Sequence, residues 1–233
     1  SDFCDLAKMV RRLDHIECLV KLLDLLEENN TCYAVYQSIE GVRLDQLLKR
    51  SKGRISYERV LPLFLPLLYA LREIHTLGFL HRGISLRTLY IEKSTGQLKL
   101  FGYGIAAART TSSGLTPELF NGFAAPEQYD ASLWQGTWTD VYAVAGVLYT
   151  VLTGVRPENA MNRLTDDNVS KSALLAVGVP EEAASVIIKA LELPQERRIA
   201  TVDPLLAGLA EVRRDDLKDE KTMMFGGAAA AAG

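Results

Sequence analysis

Gly78-Phe79-Leu80-His81-Arg82-Gly83-Ile84-Ser85, followed one short hairpin later by Lys99-Leu100-Phe101-Gly102-Tyr103-Gly104, is the stretch on which the fold turns. Just before it, Ser56–Leu77 is apolar-rich at helical spacing, and Pro62 and Pro66 inside it predict a kink or an irregular first turn. Just after it, Leu89–Ile91 and Leu98–Phe101 flank Ser94-Thr95-Gly96, which predicts a small hairpin. The His-Arg-Gly segment therefore lies between a helix end and a strand, and Gly102 lies at the exit of the second strand. Loops in such places carry function when a rigid scaffold holds them.

Outside this stretch, Phe3–Leu13 spaces its apolar residues for an amphipathic helix. Leu19–Leu26 and Cys32–Tyr36 read as strands around a Glu27-Glu28-Asn29-Asn30 turn, and Leu44–Leu48 starts a short helix. Thr110–Gly122 is polar and turn-rich, whereas Thr139–Leu152 is apolar enough for a buried helix. Pro180 precedes a helix over Glu181–Leu191. A last helix is expected to run to Val212, with Asp203 as its N-cap and Pro204 at its first position. Beyond it, mixed charge gives way to Met-Met-Phe-Gly-Gly and an alanine run, the composition of a tail or linker.

The quoted segments resemble the catalytic and metal-binding loops of a protein kinase of the bacterial Ser/Thr type, H-R-D-x-x-x-x-N and D-F-G. Further matches follow in the family's order. Gly122-Phe123-Ala124-Ala125-Pro126-Glu127-Gln128-Tyr129 resembles G-Y-x-A-P-E-Q-Y, and Trp138-Thr139-Asp140-Val141-Tyr142 resembles W-T-D-V-Y. Leu152-Thr153-Gly154-Val155-Arg156-Pro157 resembles L-T-G-x-x-P, and Pro194-Gln195-Glu196-Arg197 resembles the late P-x-x-R. The resemblance implies a two-lobed α+β fold with a mainly helical C-terminal lobe. It implies a partial N-terminal lobe over 1–41, a C-terminal lobe over 42–213 and a flexible tail over 214–233. It further implies that Glu127 pairs with Arg197, that Asp140 caps the backbone around His81 and Arg82, and that His81 packs on Tyr103.

Three positions depart from the family's pattern. Gly83 stands for the catalytic-loop Asp, Thr88 for its Asn and Gly102 for the metal-binding Asp. In the family these groups accept the substrate proton and hold Mg²⁺ against the phosphates. Their exchange leads to the expectation of a pseudokinase: not an enzyme, without catalytic residues, metal or cofactor, binding protein partners as a signalling scaffold. An atypical enzyme with relocated groups and a purely structural module are the rival readings. Glu92 and Lys93, which follow the loop, are expected to face solvent.

The family's Gly-rich loop and its strand Lys have no counterpart here, and Asp2–Leu13 would occupy the αC helix, with Asp5 or Leu6 at its acidic position. Either the strands were lost or this chain lacks part of a parent's N-terminal lobe. Tyr36 and Gln37 fall at the hinge, where Tyr36 either narrows the adenine pocket as gatekeeper or merely packs. Thr111 and Thr222 are candidate phosphosites, each equally readable as a solvated polar residue. The partners implied are an active Ser/Thr kinase, a phosphothreonine-reading FHA domain or a second copy.

Composition is compatible with this reading. The chain has 233 residues and a net charge of −3, which argues against nucleic acid as the main partner. Its three cysteines, Cys4, Cys18 and Cys32, lack metal spacing and read as reduced thiols of a cytoplasmic protein. No signal peptide is evident, and the longest apolar run, Val141–Val155, is shorter than the roughly 20 residues of a membrane span. The chain could still be the cytosolic part of a membrane-anchored parent.

Overall fold

The computed structural model describes residues 11–29, 31–51, 53–103, 119–130 and 132–210. The expected helix over Phe3–Leu13 lies mostly outside these residues; its end, Arg11–Leu13, is a 3-10 turn. Strand β1 (Leu22–Glu28) pairs antiparallel with β2 (Thr31–Tyr36) through the turn at Asn29. Strand β3 (Gly41–Arg43) leads directly into helix α1 (Leu44–Arg50). Helix α2 (Tyr57–Thr76) follows, and strands β4 (Leu89–Glu92) and β5 (Leu98–Leu100) complete an antiparallel sheet of order β3-β4-β5. The remainder is helical: α3 (Thr137–Thr153), α4 (Lys171–Ala176), α5 (Glu181–Ala190) and α6 over 203–210. The protein thus has a small, sheet-built N-terminal lobe and a helical C-terminal lobe.

Helix α2 shows how patterning overrides a local breaker. Val60, Phe64, Leu67, Leu71 and Ile74 recur at helical spacing and are buried. Pro62 and Pro66 stand on the opposite, exposed side of one continuous helix. The carbonyls that their missing N–H groups leave free, those of Glu58 and Pro62, belong to exposed residues and can reach water. Helix α3 is the axis of the C-terminal lobe, with every residue from Thr139 to Leu152 buried. Gly146 within it permits close packing: a Cβ there would stand 3.0 Å from the Gly122 carbonyl. Helix α6 begins one residue earlier than expected, because the Leu206 N–H donates to the Val202 carbonyl. Val202, not Asp203, is therefore the capping position.

A backbone splice joins the lobes. Leu100 of β5 donates to the Cys18 carbonyl at 2.7 Å and accepts from Val20 N–H at 2.9 Å. Cys18 is a free, buried thiol, and burial pushes its pKa up to about 12 against the pull of Lys99. No helix among the described residues is long and apolar enough to cross a membrane.

Candidate functional site

The loop that follows α2 is organised by one buried carboxylate. Asp140, in the first turn of α3, accepts the His81 N–H at Oδ2 and the Arg82 N–H at Oδ1, both at 2.7 Å. His75 Nε2, in the last turn of α2, lies 3.0 Å from the same Oδ2. Burial pushes the Asp140 pKa up, but the hydrogen bond and charge of His75, with the contribution of His81, outweigh it and hold the carboxyl below its ordinary value. Asp140 thus caps the loop as the resemblance implied. The link to His75 was not legible, since the two residues are 65 positions apart and neither has a local cue.

Arg82 adopts a left-handed backbone, φ 59°, which costs a non-glycine residue about 1–3 kcal/mol. The surroundings over-determine it: Asp140 holds its N–H, and its carbonyl accepts from Gln128 Nε2 at 2.8 Å. Gln128 in turn accepts from the Ala125 N–H, so the Ala-Pro-Glu-Gln turn is bolted to the loop. Burial pushes the Arg82 guanidinium pKa down, opposed by the charge of Asp140.

The His81 ring has a defined tautomer. Nε2–H donates to the Phe101 carbonyl at 3.0 Å, and Nδ1 accepts from the Gly83 N–H at 3.2 Å. The ring meets Tyr103 edge-on with centroids 4.7 Å apart, the expected packing. A neutral histidine therefore fastens the loop to the segment that enters Gly102.

Thr88 has a role that sequence reading missed. Its hydroxyl donates to the Gly83 carbonyl at 2.9 Å and accepts from the Ser85 N–H at 2.9 Å, closing the loop on itself. Replacement by the isosteric Val would strand both buried backbone groups. Thr88→Val is expected to lose about 1–3 kcal/mol of stability. Urea denaturation would measure it, and an unchanged midpoint would dismiss the staple.

These residues do not fit a metal site of the family's type. The Thr88 hydroxyl is spent, and Gly83 and Gly102 offer no side chain. Gly102 moreover has φ 101°, a backbone that a side chain would strain. No group of His, Cys, Asp or Glu suited to a metal occurs among the described residues. Glu92, which follows the loop, accepts from Thr95 Oγ1 at 2.7 Å and sits 3.6 Å from Lys99.

Glu127 is buried and ion-paired, but with Arg198 rather than Arg197. The Arg198 Nη1 to Glu127 Oε1 distance is 2.8 Å, and Thr139 Oγ1 also donates to that oxygen. The segment from Pro194 turns helically, with Arg197 and Arg198 N–H groups both donating to the Pro194 carbonyl. That turn aims Arg198 inward and leaves Arg197 exposed. A one-residue shift in register is the whole correction.

At the hinge, the Tyr36 ring packs on Phe101 with centroids 4.6 Å apart, and Tyr90 meets Phe101 at 6.4 Å. An aromatic trio thus stands between the lobes. Gln37 is exposed, and its N–H donates to the Lys21 carbonyl at 2.8 Å. Asp5, Leu6, Gly104, Thr111 and Thr222 lie outside the described residues.

The family model described as Protein kinase domain matches residues 5–206. A probable serine/threonine-protein kinase of Clostridium perfringens is 26% identical over 210 residues, covering 84% of this chain and 30% of that protein. Serine/threonine-protein kinase PknA of Mycobacterium tuberculosis is 34% identical over 137 residues, covering 56% of this chain and 30% of that protein. This chain therefore spans less than a third of these relatives' length. A solved structure titled PpkA-294 apo form superposes with a TM-score of 0.71 at 31% identity, covering 89% of this chain and 73% of that one. The PknI kinase domain of Mycobacterium tuberculosis, at 19% identity and a TM-score of 0.69, supports the fold.

These matches overturn the expectation that the chain is not an enzyme. The family match spans the loop region, and the relatives are named as kinases. The physical reason is that removing individual catalytic groups leaves the catalysis that comes from positioning, and such losses do not multiply.

Proposed function

Since this chain belongs to the protein kinase family, we propose that it acts as an atypical Ser/Thr kinase of low turnover. The observation that carries the reading is the loop frame. Asp140 holds the His81 and Arg82 N–H groups, and His81 holds Phe101. A frame fixed at five buried or partly buried hydrogen bonds, these three with Gln128 to Arg82 and Thr88 to Gly83, supplies orientation even where general-base help is absent. Lack of such help by itself lowers the rate by roughly 10²–10⁴ from the ~1–100 s⁻¹ of ordinary kinases, and the missing metal ligands at Thr88 and Gly102 lower it further.

The test is transfer of labelled γ-phosphate from ATP to Ser/Thr peptides by the full-length protein, with Mg²⁺ or Mn²⁺ supplied. Transfer at or below that reduced range is expected, falling further in folded Asp140→Asn protein. Incorporation no higher than in a protein-free control would overturn the proposal.

A second reading, binding of a protein partner, draws on the β1–β2 ribbon. Leu26 pairs with Tyr33, and Val35 lies two residues on, so the register puts all three on one face. All three are exposed. An active Ser/Thr kinase, an FHA domain or a second copy is the partner class proposed for it.

A further inference from the structure

Away from the loop, a groove of about 780 Å³ runs between α1, the turn that follows it and the first half of α2. Leu47, Leu63 and Ile91 line its apolar part. Arg50, Arg54 and Arg59 stand exposed around it, with Glu58 as the opposing charge. Among the described residues no carboxylate ion-pairs with any of the three arginines.

Fold stability does not explain this placement. Arg50, in the last turn of α1, complements that helix's dipole. Arg59 lies in the first turn of α2 and Arg54 just before it, where the helix end is already positive and a cation is unfavourable. The rim is net positive on a chain whose overall charge is −3. A second, smaller depression of about 280 Å³ shares Ser51, Arg54, Ile55 and Ser56, which puts Arg54 between two hollows.

We propose that this groove docks an acidic peptide segment of a protein partner. Its carboxylates would be received by Arg50, Arg54 and Arg59, and its apolar side chains by Leu47, Leu63 and Ile91. Arginine suits the role because its planar fork engages a carboxylate through two hydrogen bonds. Charge complementarity selects the sign of the partner, and the apolar strip selects a peptide over a free anion. None of His81, Arg82, Gly83, Thr88 and Gly102 lines the groove, so the inference stands or falls independently of phosphate transfer.

The test is fluorescence anisotropy of the full chain with a labelled synthetic peptide alternating Glu and Leu. Binding that weakens with added salt is expected. Arg54→Glu with Arg59→Glu should weaken it at least tenfold while the melting temperature and any phosphate transfer stay unchanged. Exchange of Leu for Ser in the peptide should weaken it also, and exchange of Glu for Lys should abolish it. Equal binding of the Lys peptide, or undiminished binding by the doubly substituted chain, would overturn the proposal. So would a concentration-dependent dimer, seen by sedimentation, that the same two substitutions dissolve, since a second copy would then occupy the groove.

Discussion

Arg198→Ala is expected to cost about 3–5 kcal/mol of stability, while Arg197→Ala leaves it within about 0.5 kcal/mol. Arg198 is 5% exposed, and its guanidinium donates to both Glu127 oxygens and to the carbonyls of Glu192, Trp138 and Leu193. Its removal leaves the Glu127 carboxylate charged inside the lobe with only Thr139 to satisfy it. Replacing both partners by apolar residues would cost less than removing one, because no stranded charge would remain. Arg197 is exposed, so its truncation removes a solvated charge. For a domain of this size the difference corresponds to a fall of roughly 6–20 °C in Tm, readable by circular dichroism. Equal melting of the two variants would refute the Glu127–Arg198 assignment.

Asp140→Ala is the second large effect, again about 3–5 kcal/mol, with loss of the loop's geometry. It strands the His81 and Arg82 N–H groups and the His75 ring, and it removes half of what holds Arg82 in its left-handed backbone. The carboxyl's pKa lies below the ordinary aspartate value of 3.8. The sign follows: the unfolded chain takes up this proton first as pH falls. The stabilisation is fully present above about pH 4 and is lost as pH drops through the lower, folded value. Asp140→Asn should therefore flatten the acid limb of stability between roughly pH 2 and 5. An acid limb identical to the parent's would show that the group titrates alike in both states.

Much of the site was readable because kinase-type motifs are local strings. The run from Gly78 to Ser85, the turn at Pro126 and the start of α3 each carry their signature within a few residues. The expected helices over Ser56–Leu77 and Thr139–Leu152 appear as Tyr57–Thr76 and Thr137–Thr153, because burial patterns of that length outweigh local breakers. The exchanges at Gly83, Thr88 and Gly102 were equally plain. Their consequence for activity was not, because a rate depends on how the remaining groups are held and not on an inventory of side chains.

By itself, the sequence determined the family, the order of elements and the identity of the loop positions, since these follow from periodicity and from short motifs in fixed order. Only the tertiary structure decided which arginine meets Glu127, that His75 shares Asp140 with the loop, and that Thr88 staples Ser85 to Gly83. It also gathered Arg50, Arg54 and Arg59 around one groove. Each of these depends on where a turn aims a side chain or on which distant segments meet. A one-residue step in a helical turn rotates a side chain by about 100°, enough to exchange the interior for solvent.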